Sequence, residues 1–279
     1  MGHGNRIDHP GTLTLRDRLG ALAALGVPSL AGIAYLALLG APPAYPATNA
    51  AALALASLWI VFGRGPRSIR AQRVLAAALA VLLFVPLAAG PELHGVTRWL
   101  PLGPVTLHAG MLAIPALALL AARDPDYAPP LLLVGLLGAF LQPDAASGFA
   151  LTFAAIGLHH ITRDWKVGTV AIVGFIASIV MALNGELEPA PFVERILFDL
   201  ALHHGAIALL LAAALVAGYL LTLYTLPAPR AVRFALAGSW FGFALMSVIS
   251  NYPSLLIGYG AAPILGYGLA FGLANRNSP

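Results

Sequence analysis

The sequence predicts an all-α, polytopic integral membrane protein with about ten transmembrane helices. Three observations carry this. The 279 residues are 59% hydrophobic and 9% charged, with a mean hydropathy of +0.86, whereas soluble domains carry roughly 25% charged residues. Long apolar runs recur from residue 19 to residue 275. Those runs are continuously apolar, without the period-two alternation of a membrane barrel, which leaves helices as the structure a bilayer core accepts. The chain has no cysteine, so disulfides and thiol chemistry are excluded. The formal charge of +4 does not point to a nucleic-acid partner. In such a chain the placement of charge says more than its sum.

Ten apolar segments follow in order: 19–40, 48–63, 72–90, 104–122, 129–142, 145–161, 167–184, 197–224, 232–250 and 253–275. Residues 1–18 read as a polar cytoplasmic tail, 19–275 as one transmembrane helical domain, and 276–279 as a short cytoplasmic tail. A polar N-terminus before a long first apolar run argues against a cleavable signal peptide. Several segments fall short of the roughly 20 residues of an upright span. The pair 129–142 and 145–161 is either two tilted crossings or a broken, partly re-entrant element, which is allowed only inside protein. Pro143 ends the fifth segment, and Asp144 stands where an N-cap of the sixth belongs. In the last segment, "GYGAAPILGYG" (258–268) reads as small-residue helix packing.

The charges orient these segments. With the N-terminus inside, Arg6, Arg16, Arg18, Arg64, Arg67, Arg70, Arg73, Arg123, Arg163, Lys166, Arg230, Arg233 and Arg276 are cytoplasmic, thirteen of the 15 basic residues. Arg98 and Arg195 alone fall outside. This bias supports an even number of spans with both ends inside. Glu92, Asp144, Glu186, Glu188 and Glu194 gather at the outer face. The loops are too short for a soluble catalytic unit, and no nucleotide-binding glycine motif occurs, so any chemistry belongs to the membrane domain.

The outer polar residues each have two readings. Arg98 and Trp99 are an interfacial anchor, or Arg98 holds a phosphate of a lipid-linked substrate bidentately. Arg195, Asp199 and His203 lie four apart on one helical face. Because Asp199 sits in an apolar segment, a structural ion pair with Arg195 is expected. Glu194 lies off that face, as a solvated loop acid or as a carboxylate able to take a proton from a sugar hydroxyl. His159 and His160 read as interfacial, and the histidines lack the spacing of a zinc site.

Four stretches resemble, in order, the SEDS family, the RodA/FtsW/SpoVE-type membrane glycosyltransferases of the bacterial cell wall. "GVTRWLPLGPVTL" (95–107) is similar to the family's G-x-x-R-W-x-x-L-G, and "LLLVGLLGAFLQPDAASGFAL" (131–151) to its apolar run into Q-P-D-x-G-[ST]. "ERILFDLALHHG" (194–205) can be laid without gaps on D-F-[IL]-F-x-x-x-G-E-E-x-G. "YPSLLIGYGAAPILGYGLAFGL" (252–273) is similar to the closing L-P-F-[IV]-S-Y-G-G-S-S helix. The resemblance covers roughly residues 72–275. It implies an inner-membrane, multi-pass protein with an outward-facing site that polymerises lipid-linked disaccharide, in company with a single-span membrane protein or a larger membrane complex. It implies Glu194 as the catalytic base. It also implies Arg98, Trp99, His108, Gln142, Asp144, Arg195 and Tyr259 as substrate-binding positions among membrane lipids. No dedicated metal cluster is visible, although Mg²⁺ or Mn²⁺ could share the pyrophosphate charge.

The departures from the family pattern are specific. Its Q-P-S-E is "HAGM" here, His108 to Met111, and the lysine one turn on has no counterpart. Y-G-G-S-S has become Tyr259 to Pro263, without either serine. The paired glutamates are His203 and His204, the outer loop before Glu194 is only 185–194, and the base carries one extra methylene. A displacement near 1 Å costs roughly 100-fold in rate. Two readings follow: a small divergent SEDS-type glycosyltransferase, or a non-catalytic relative that binds a lipid-linked precursor or serves as a structural subunit. A transporter ranks last, since charges at mid-membrane depth are few.

Overall fold

The structure is a computed structural model that describes residues 15–103 and 105–274. Arg6, Arg276 and the expected tails lie outside the described residues, apart from 15–18, where the first helix has already begun. Eleven helices and one hairpin make up the described residues. They are α1 (Leu15–Leu38), α2 (Ala44–Phe62), α3 (Ile69–Ala89), β1 (Trp99–Leu102), β2 (Val105–His108), α4 (Ala109–Arg123), α5 (Ala128–Leu141), α6 (Ala145–Thr162), α7 (Trp165–Asn184), α8 (Ile196–His203), α9 (Gly205–Tyr224), α10 (Arg230–Ile249) and α11 (Ala261–Ala274). Seven helices are long and apolar enough to cross a membrane, and α4, α5 and α11 are shorter apolar helices. Each expected segment therefore contains a helix.

The short helices are short for different reasons. Both α4 and α11 are buried on nearly every side, as an apolar helix in the middle of a protein must be. They pack on each other and on α10 and α2. Glycine makes that approach possible: a Cβ on Gly266 would lie 2.1 Å from the Met111 carbonyl oxygen. The α6–α10 contact uses the same device, since a Cβ on Gly242 would lie 2.5 Å from the Ala150 backbone.

Basic side chains mark one end of the bundle. Arg18 donates to the Ile60 carbonyl (3.5 Å), Arg123 to Leu273 (2.8 Å) and Arg233 to Tyr224 (3.3 Å). All three acceptors are last-turn carbonyls of α2, α11 and α9, where cations meet the negative helix end. Arg73 pairs with Asp124 at 2.7 Å at the same end. This arginine-rich end is the one the charge bias makes cytoplasmic.

Within the bundle the 129–161 pair runs out and back. α5 starts beside Arg73, which lies 3.9 Å over the Tyr127 ring. It ends beside Gln142, whose amide donates to the Leu83 carbonyl near the far end of α3. α6 then returns to the arginine-rich end. At 14 residues, α5 rises about 21 Å, less than a 30 Å core; it lies against α3, α4, α6 and α7 rather than free in lipid.

Three expectations are corrected. The fourth segment is not helical at its start: residues 99–102 and 105–108 pair as an antiparallel hairpin with Trp99 opposite His108. The span starts at Ala109: residues 105–108 are held in the strand pair, Gly103 is left-handed (φ +61°), and the His108 side chain caps α4 by accepting from the Met111 N–H. The eighth segment is broken at His204 into α8 and the span α9. The last segment is helical only from Ala261. Tyr252 and residues 254–258 are a buried non-helical stretch, tolerated at that depth because protein encloses it. Its backbone groups find partners: Ser254 N–H donates to Val193 (2.8 Å), Tyr259 N–H to Phe192 (2.8 Å), and the Gly258 carbonyl accepts from Asn49 (2.8 Å).

Candidate functional site

At the end opposite the arginine-rich one, the hairpin, the start of α6, and the loops after α7 and α10 converge. The hairpin comes first. Its register sets Trp99 against His108, and the Ala109 N–H donates to the Arg98 carbonyl (3.0 Å). Arg98 is thereby fixed beside the first turn of α4. Its guanidinium is 1% exposed. It lies 4.6 Å over the Tyr252 ring and 5.0 Å from the Trp99 ring centre, and donates weakly to the Gly185 carbonyl (3.4 Å). Its Nε has no hydrogen-bond partner among the described residues.

Asp144 acts first as a cap. Its Oδ1 accepts from the Ser147 N–H (3.2 Å), and its Oδ2 accepts from the Ser147 hydroxyl, the N-cap arrangement expected from the sequence. The same Oδ2 faces His108 Nε2 at 3.5 Å. His108 Nδ1 accepts from the Met111 N–H (3.2 Å), so the neutral ring carries its proton on Nε2, toward the carboxylate. No hydrogen bond joins them, and Nε2 has no hydrogen-bond partner among the described residues. Burial holds the imidazole below its ordinary pKa; Asp144 opposes this and Arg98 adds to it. Tyr252 completes the group, accepting from the Ala145 N–H at 3.1 Å and reaching the Gly185 carbonyl at 3.5 Å.

Glu194 joins from the outer loop. It bridges to Pro253, and its Oε2 accepts from the Ala190 N–H at 2.8 Å. Burial pushes its carboxyl above the ordinary range, partly offset by the Ala190 N–H and by the charge of Arg98. Its partner Pro253 follows Tyr252, the ring that Arg98 covers at 4.6 Å.

The remaining expected residues lie elsewhere or act differently. The amide of Gln142 is spent on the Leu83 carbonyl, fastening α5 to α3. Tyr259 stacks on Tyr45 with ring centres 3.7 Å apart. The expected Arg195–Asp199–His203 ion pair does not form. Arg195 is the N-cap of α8 in a left-handed conformation (φ 56°), outside the helix, so the one-turn spacing that would align it with Asp199 is lost. Its guanidinium lies over Phe198 (4.5 Å) and reaches Asn251 (3.5 Å). Asp199 is exposed in the first turn of α8, where the helix dipole favours an acid. His203 Nδ1 meets the Asp199 backbone carbonyl (3.1 Å), not its carboxylate.

Sequence reasoning missed Tyr252, Ser147 and Asn49. Asn49 is fully buried in α2 and holds both the Gly258 carbonyl and the Gly260 N–H (3.1 Å). An asparagine near the start of an apolar span was the available signal. Among the described residues, no three histidine, aspartate or glutamate side chains converge as metal ligands. Both Asp144 oxygens and Glu194 Oε2 accept internal hydrogen bonds.

No protein-family model matches the chain, and no curated protein matches it. Solved structures do. A variant of the rod shape determining protein RodA of Thermus thermophilus aligns over 91% of this chain and 95% of its own, at 19% identity and TM-score 0.65. Another RodA structure from that organism covers 91% and 94%, at 19% identity and TM-score 0.60. A chain of a peptidoglycan synthase complex, described for its coordination of polymerization and crosslinking, covers 92% and 96%, at 18% identity and TM-score 0.65. This chain has the SEDS-type fold, that of the RodA structures.

Proposed function

We propose that the chain is a SEDS-like cell-envelope membrane protein with a glycosyltransferase-type site for lipid-linked disaccharide at its outer face. The observation that carries this is the convergence, at the end of a RodA-type bundle away from the basic loops, of Arg98 over the Tyr252 ring (4.6 Å) and of Glu194 on the neighbouring Pro253. Glu194, in its ionised form, takes the proton of the acceptor sugar hydroxyl. The freed oxygen attacks the anomeric carbon of the donor, and the carbon–oxygen bond to the lipid pyrophosphate breaks. Arg98, with Arg195 nearby in the chain, meets the charge on the departing pyrophosphate. A raised carboxyl pKa suits a base that must hold a proton during the reaction. The partner is a single-span membrane protein or a larger membrane complex, by analogy with the synthase complex.

A second reading has its own observation. Arg98 is 1% exposed and Asp144 also 1%, and each already has partners inside the protein. A cluster closed in this way is a structural joint, and the protein would then be a non-catalytic SEDS-fold subunit that binds lipid or supports a complex. Two measurements on one preparation separate the readings: binding of lipid-linked disaccharide, and glycan polymer formed from it. Binding with polymer, the polymer lost in Glu194→Gln, supports the transferase. Binding without polymer supports the subunit. Absence of both refutes the proposed substrate.

A further inference from the structure

A second feature lies at the opposite end of the molecule. Between α3, α4 and α5 runs a cavity of about 860 Å³ with almost wholly apolar walls. On α3 its wall is Arg70, Val74, Ala77 and Val81, a set that repeats every three to four residues and so shares one face. Leu131 and Val134 of α5 stand opposite. Val74 and Val81 are each 64% exposed, so the groove opens sideways, toward lipid. Its mouth is the arginine-rich loop. Arg73 is neutralised by Asp124 at 2.7 Å, while Arg64, Arg67 and Arg70 are exposed.

We propose that this groove holds an acyl chain of an anionic phospholipid, with the headgroup phosphate on Arg70. Dimensions choose the occupant. From Ile69 to Val81 the groove follows α3 for about 18 Å. One leaflet of hydrocarbon is about 15 Å deep, so the groove covers one leaflet and stops. Spread over that length, about 860 Å³ leaves a mean cross-section of about 48 Å². A single acyl chain entering from the headgroup level matches that length and the apolar walls. Charge chooses the headgroup: three exposed arginines lie within seven residues at the mouth, and anionic lipid is attracted to basic residues beside a membrane surface. This site is independent of the outer cluster and of any transferase activity.

The test uses the full chain purified in detergent. Phosphatidylglycerol and phosphatidylcholine with identical chains are titrated separately, with glycerol phosphate as a chainless control. Bound lipid is counted by native mass spectrometry at low and high salt. Preferential retention of phosphatidylglycerol is expected. Arg70→Gln should weaken it about fivefold at low salt, and Ala77→Phe should abolish retention of both lipids at this site. Ala77 is exposed, so phenylalanine needs no core space, and Val81→Trp, also at an exposed position, supplies a second block. The melting temperature of each variant in lipid-free detergent reports whether it is folded. Equal retention of the two lipids, binding of glycerol phosphate alone, or unchanged retention in folded Ala77→Phe and Val81→Trp would overturn the proposal. So would a dimer that seats a second copy in the groove and excludes lipid.

Discussion

Replacing Asp144 tests whether the outer cluster is a joint that the fold depends on. In Asp144→Ala the cap on α6 disappears, which costs about 1 kcal/mol. The Ser147 hydroxyl, 1% exposed and donating to Asp144 Oδ2, loses its acceptor, which adds about 1–3 kcal/mol. The expected loss is therefore about 2–4 kcal/mol. Asp144→Asn keeps an oxygen for the Ser147 N–H, and its new amide N–H can donate to the Ser147 hydroxyl, which turns to accept, so the asparagine variant should lose less than half as much. Unfolding in mixed micelles, followed by fluorescence of Trp99 and Trp240 against helix content, gives both numbers. An alanine variant within about 0.5 kcal/mol of wild type, below the smallest usual cap loss, would refute the reasoning. An asparagine variant as damaged as alanine would move the weight from hydrogen bonds to charge.

Other expectations follow from neighbouring residues. Gly110→Ala would set a Cβ 1.7 Å from the Ser147 hydroxyl; a loss of about 1–3 kcal/mol in the same unfolding assay is expected. Asn49→Ala leaves the buried Gly258 carbonyl and the Gly260 N–H unpaired, so a loss of at least about 2 kcal/mol is expected, with faster hydrogen exchange in residues 252–260. Burial raises the Glu194 pKa, so the folded state holds that proton more tightly than the unfolded chain does. The resulting stabilisation is complete below the unfolded pKa and is lost as pH rises through the folded one. Glu194→Gln should therefore melt at or above wild type at neutral pH, with the gap shrinking toward acid; a mutant less stable at neutral pH than in acid, relative to wild type, contradicts this. If the protein polymerises glycan, the acid limb of its pH–rate profile should lie above the ordinary carboxylate range.

Much of this arrangement was legible before the structure. The order of R-W, Q-P-D and the Tyr252–Leu273 stretch correctly places Arg98, His108 and Asp144 near the same end. The charge bias separated the two ends, and the arginines at one of them do cap helix C-termini. What was not legible has local causes. Val105, Thr106 and Leu107 look like the start of a span by hydropathy, yet they pair with Leu102, Pro101 and Leu100 in a hairpin that turns at left-handed Gly103. The spacing of Arg195, Asp199 and His203 presumed one helix through all three, but Arg195 is left-handed and stands outside it. Residues 253–260 are apolar enough for a span; only the backbone partners supplied by Phe192, Val193 and Asn49 show that they need not be helical. Pairing across such distances in sequence leaves no periodic trace.

The central claim is that Arg98 and Glu194 form a site that works on lipid-linked disaccharide. Its most direct test is glycan polymer formed from that substrate by purified wild type beside Glu194→Gln, with binding shown for both. Polymer from the wild type, and at least a 100-fold smaller rate from a mutant that still binds, is the predicted result for removing a general base. Equal polymer from both proteins would contradict the role of Glu194, and a wild type that neither binds nor polymerises the substrate would contradict the site itself.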